Sequence, residues 1–61
     1  MDWREITVEF NGRPVSGSYT VENRIVVVRV PHGVKSREVD TMGPAWLAFG
    51  LLRELAAEGK A

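Results

Sequence analysis

At 61 residues and 6.8 kDa the chain has room for a single domain, and a domain this small buries only about 60% of the surface it exposes when unfolded. With Cys 0, disulfides and thiolate metal sites are excluded, so packing or self-association must replace the staples on which very small domains depend, which points to a homodimer. The 44% hydrophobic and 26% charged fractions are those of a folded domain, and a formal net charge of zero excludes attraction to nucleic acid by bulk charge.

The opening "MDWREITVEF" alternates as a strand and lacks the basic region and apolar run of a signal peptide. The apolar run "MGPAWLAFGLL" stops at Arg53, far short of the roughly 20 residues that span a bilayer. A cytoplasmic protein with no membrane partner is the expectation. Charge is uneven, however: residues 11 to 37 hold Arg13, Arg24, Arg29, Lys35 and Arg37 against Glu22 alone.

In chain order, Ile6, Val8 and Phe10 alternate with Glu5, Thr7 and Glu9, the period of a strand with one buried face. Asn11-Gly12 supplies the two positive-φ positions of a type I′ turn, which sets Phe10 opposite Arg13, Val8 opposite Val15 and Ile6 opposite Gly17. Pro14 then opposes Glu9 with its missing N–H turned away from the first strand.

For the turn in "VENR", a two- or a four-residue loop alike predicts Thr20 opposite Ile25, Tyr19 opposite Val26, Gly17 opposite Val28 and Val15 opposite Val30. In "VPHGV", Pro31 suits a type I turn and Gly33 a following left-handed bulge, so Val30 is expected to pair with Val34. "KSREVDT" then reads as a short charged edge strand. In "TMGPAWLAFGLLRELAAEGKA", Pro44 suits the first helical position, Gly43 or Thr41 the cap and Gly59 the stop. Leu47, Ala48, Leu51, Leu52 and Leu55 form its apolar stripe, widened by Phe49 and Ala56, with Trp46, Arg53 and Glu54 on the other side.

The predicted architecture is α+β: a four-stranded antiparallel meander over about 3–10, 13–21, 24–30 and 34–40, with one C-terminal helix over about 44–58 packed on one face. Gly17 sits in the middle of the covered face and marks the closest approach of the helix.

Catalytic chemistry finds little support. His32 lies in a turn and stands alone, a Ser16, His32 and Asp40 trio has no nucleophile elbow, and "NGRPVSG" lacks the strand-loop-helix context and lysine of a phosphate loop. Glu5 and Glu9 read as solvated charge. No enzyme, cofactor or metal site is predicted.

The other sheet face is expected to carry Trp3, Ile25 and Val27 with a basic group of Arg29, Lys35 and Arg37, Arg29 standing opposite Lys35. Trp46 and Phe49 lie at the rim of the helix stripe. Two functions stay open on this reading. One is a protein-interaction module, self-associating as a homodimer or holding another protein through Trp3, Ile25 and Val27 or through Trp46 and Phe49. The alternative is a weak nucleic-acid or anion binder using Arg29, Lys35 and Arg37.

The pattern "V.G.Y.VE...V.V", followed by a basic edge and "LAFGLLRELA", resembles small uncharacterised bacterial proteins of the structural-genomics kind over nearly the whole chain. That resemblance implies the fold and carries no site residues.

Overall fold

The computed structural model describes residues 2–39, 41 and 43–61. Four strands follow one another, β1 Arg4–Phe10, β2 Arg13–Glu22, β3 Ile25–Val30 and β4 Gly33–Glu38, and helix α1 spans Pro44–Ala57. The strands form one antiparallel sheet in the order β1-β2-β3-β4. This is the α+β meander with one helix packed on one face. The expected strand end at residue 40 lies outside the described residues.

The first hairpin has the expected register, Val8 pairing with Val15 and Ile6 with Gly17. Its turn residues Asn11 and Gly12 take φ 52° and 75°, the left-handed pair that matches the strand twist. Pro14 pairs with Glu9, beyond the last β2–β3 pair of Ser18 with Arg29, where a missing N–H costs the ladder nothing.

The second hairpin differs from expectation by two residues. Thr20 pairs with Val27 rather than Ile25, and Val28 pairs with Tyr19 rather than Gly17. The cause is a two-residue loop at Asn23 and Arg24, both left-handed at φ 51° and 64°; an arginine there is uncommon, so the pattern does not advertise the turn. Arg24 is tied down on both sides. Its carbonyl accepts from the Val39 N–H at 2.7 Å, and its Nη2 donates to the Val39 carbonyl at 3.2 Å. A shift of two leaves every side chain on its expected face.

The third turn corrects the sequence reading more deeply. Val30 pairs with Gly33, not Val34, so the loop is Pro31-His32 alone, and Gly33 is not at positive φ. Its lack of a side chain serves packing: a Cβ there would lie 2.8 Å from Lys60 Cδ and 3.2 Å from Leu55 Cδ2. Removing one residue from the loop turns β4 over. Lys35 and Arg37 pair with Val28 and Val26 on the helix side, while Val34 pairs with Arg29 and is 59% exposed on the other.

The core lies between sheet and helix, where Val8, Val26, Val28 and Val30 meet Leu47, Ala48, Leu51, Leu52 and Leu55. Leu51, Leu52 and Leu55 are fully buried, each worth about 1.5–3 kcal/mol relative to exposure. Gly17 lies under the helix as expected, since a Cβ would stand 3.0 Å from Leu52 Cδ1 and from Val30 Cγ1.

Helix α1 begins with Gly43 as cap and Pro44 in its first turn, without a side-chain cap bond. It closes through two backbone bonds, Gly59 N–H to the Ala56 carbonyl and Lys60 N–H to the Leu55 carbonyl. With Gly59 at φ 77° these form a Schellman stop, which brings Lys60 down over Gly33.

Candidate protein-interaction surface

Helix α1 covers one face of the sheet, and among the described residues no second layer covers the other. Strand alternation places Ile25, Val27 and Val34 on the open face, because Ile25 pairs with Glu22 and Glu38, Val27 with Thr20 and Ser36, and Arg29 with Ser18 and Val34. Ile25 and Val27 are half-buried. Trp3, 36% exposed, reaches across β2, and the Arg29 guanidinium sits 4.1 Å from its ring centroid. That cation–π contact contributes about 0.5–1 kcal/mol at an exposed site, and it fixes a large apolar plate over the sheet. Thr20, which lies between Trp3 and Val27, is only 6% exposed.

Three carboxylates, Glu5, Glu22 and Glu38, border this apolar centre, and a fourth, Glu9, stands at the far end of the face beyond Thr7 and Ser16. Glu5 shares a row with Ser18 and Arg29, Glu9 pairs with Pro14, and Glu22 and Glu38 flank Ile25. All four are exposed. Against them stands the single guanidinium of Arg29, already stacked on Trp3, so the strands present an acidic face. Thr7 Oγ1 and Ser16 Oγ lie in hydrogen-bond contact at 2.9 Å at one end.

The expected basic group does not assemble. Arg29 is on the open face, whereas Lys35 and Arg37 are on the helix side and already paired. Lys35 Nζ reaches Glu54 Oε1 at 3.1 Å and also contacts Glu58, and Arg37 Nη1 reaches Glu54 Oε2 at 3.3 Å. The hydrogen bond with Glu58, then that with Glu54, holds the Lys35 ammonium above its ordinary pKa. The reciprocal bond from Lys35 holds both carboxylates below theirs, with Arg37 assisting at Glu54 and Lys60 at Glu58. These cations are engaged inside the fold, and the anion-binding face foreseen from the sequence is an acidic one.

On the back of α1, Trp46 is 66% exposed and meets Phe49 edge to face, centroids 6.3 Å apart and planes at 83°. Phe49 also leans on the core. The predicted surface residues therefore fall into two separate groups, Trp3, Ile25 and Val27 on the sheet and Trp46 and Phe49 on the helix. Of the acidic border, Glu5 and Glu22 follow from strand alternation, whereas placing Glu38 depends on the length of the third loop, which the sequence pattern conceals.

Two shallow clefts flank the fold, one of 490 Å³ beside Pro44, Arg4 and Tyr19 and one of 530 Å³ beside Phe10, Arg13 and Gly59. Among the described residues no three His, Asp or Glu side chains come together as a metal-binding group, and no helix is long and apolar enough to cross a membrane. No family model, curated protein or solved structure matches the chain.

Proposed function

We propose that this protein is a small non-enzymatic interaction module whose open sheet face docks a basic protein segment bearing apolar side chains. The supporting observation is the pairing of an uncovered apolar centre, Trp3, Ile25, Val27 and Val34, with a border of three carboxylates and one guanidinium. Contiguous exposed apolar surface rimmed by charge is the usual mark of a protein contact. Its sign selects the partner: lysine and arginine side chains gain from Glu5, Glu22 and Glu38, while a phosphate backbone is repelled. Nucleic-acid binding keeps no footing on this face, since Lys35 and Arg37 lie on the opposite side of the sheet.

Amide-shift titration tests the proposal with two short synthetic peptides, one alternating lysine with valine and the other glutamate with valine. The lysine peptide is expected to move the amides of Ser18, Thr20, Val27 and Ser36, less so as salt rises, and the glutamate peptide to leave them in place. Equal responses to the two peptides, or shifts confined to the helix, would overturn the assignment.

A further inference from the structure

The back of helix α1 carries a pattern of which the fold uses only part, the contact of Phe49 with Trp46 and with the core. Trp46, Gly50 and Arg53 follow one another along this side, away from the buried stripe of Leu47, Leu51, Leu52 and Leu55, with Phe49 half-buried at its border. Gly50 lies mid-helix, where glycine costs stability relative to alanine. Nothing inside the molecule requires it: a Cβ at this position would meet no atom within 4 Å. Arg53 is exposed and, among the described residues, forms no salt bridge. Its neighbour Glu54 is turned to Lys35 and Arg37.

From these positions we infer that α1 pairs with α1 of a second copy of this chain, antiparallel, about a two-fold axis between Phe49 and Gly50. The spacing is symmetric about that point, three residues from Trp46 to Phe49 and three from Gly50 to Arg53. An antiparallel mate therefore sets each Phe49 ring over the mate's Gly50, where the missing side chain leaves room for it. It also sets each Trp46 face against the mate's Arg53, whose guanidinium gains the cation–π partner it lacks within its own subunit. Both contacts occur twice, as a closed two-fold interface demands. The two Arg53 charges end about 10 Å apart along the axis at 1.5 Å per residue, so the pairing brings no like charges together. Two helical turns make a small interface, and the dimer is accordingly weak and concentration-dependent rather than obligate. It leaves the open sheet face free, so it stands apart from the docking function proposed above.

Cross-linking and sedimentation on the intact chain test this. The chain has no cysteine, so single-cysteine variants report cleanly. Mixed in equal amounts, Trp46→Cys and Arg53→Cys stand opposite one another across an antiparallel pair, with the second Trp46–Arg53 contact intact, and are expected to form the mixed disulfide under mild oxidation, whereas Ala57→Cys, whose two copies would be about 22 Å apart along the helices, is not expected to link. Linkage through Ala57→Cys would mean a parallel pair, and linkage through Val27→Cys but not between Trp46→Cys and Arg53→Cys would move the interface to the sheet; either overturns the inference. In sedimentation, Gly50→Ala is expected to raise the monomer's melting temperature while weakening association at least tenfold, and Arg53→Glu to weaken it without loss of fold. A wild-type chain that stays monomeric at millimolar concentration, or association unchanged by both substitutions, also overturns it.

Discussion

Lys35 pairs with Val28 across β3 and β4, and this relationship decides which way the whole edge strand faces. With Val28 fully buried beneath α1, its neighbour's ammonium is carried to the helix, where Glu54 and Glu58 meet it. The same pairing sends Val34 and Glu38 to the open side. A basic sheet face and an acidic one are thus separated by one residue of loop length.

Val34 is the direct probe of that register. Being 59% exposed opposite Arg29, it should tolerate Val34→Thr within about 0.5 kcal/mol. The corresponding change at Val30, 6% exposed in the core, buries a hydroxyl among aliphatic groups and should cost about 1–3 kcal/mol. Urea midpoints of the two variants check this; a cost at Val34 comparable to that at Val30 would restore the three-residue loop.

Gly17 is expected to be the least replaceable residue of β2. A Cβ would crowd Leu52 Cδ1 and Val30 Cγ1 at 3.0 Å and the Arg29 carbonyl oxygen at 3.1 Å. The side chains can shift, but the carbonyl belongs to the β3 backbone. Gly17→Val should therefore destabilise by about 1–3 kcal/mol despite the strand propensity of valine, measured as a fall in the denaturant midpoint.

How much of this was legible follows from what each turn shows. Asn11-Gly12 names its own geometry, and the register of β1 on β2 can be read from it. Asn23-Arg24 uses the same geometry with a residue that rarely adopts it, which hides the loop, yet the two-residue displacement keeps Val26 and Val28 on the core side, so the core remained readable. Gly33 invites a conformational explanation when its reason is the approach of Lys60 and Leu55, a tertiary contact that periodicity does not reveal. The facing of Lys35, Arg37 and Glu38 is hidden for that reason, while Glu5 and Glu22, on strands that precede the third loop, follow from alternation. Trp3, Ile25 and Val27 were placed correctly because their strands precede the third loop.

The Arg24 turn can be separated into strain and tether. Arg24→Ala keeps a Cβ at φ 64° and removes the side-chain bond to the Val39 carbonyl, whereas Arg24→Gly removes both the bond and the steric cost. The glycine variant should exceed the alanine variant in stability by about 1 kcal/mol. Thermal melts of the pair decide it, and equal melts would mean that residue 24 is not held left-handed.

The ion cluster on the helix side predicts a pH dependence with a fixed direction. Glu54 and Glu58 both titrate below their ordinary 4.5, chiefly because Lys35 donates to each. Their stabilisation is present in full above the unfolded value and is lost as pH falls through the folded values, below 4.5. Lys35 titrates above its ordinary 10.5, so its share is complete below 10.5 and disappears as pH rises through the folded value. Between those limits the contribution is flat. With Glu54 at 40% side-chain exposure, solvent screens the pair and Glu54→Gln should cost less than about 1 kcal/mol. Carboxyl NMR titration gives the sharper reading. In the wild type the Glu54 and Glu58 signals should have midpoints under 4.5, and in Lys35→Met both should move up toward it, Glu58 retaining Lys60 and Glu54 retaining Arg37. Wild-type midpoints at 4.5 or above would show that Lys35 does not face the helix in solution, and the register of β4 would fall with it.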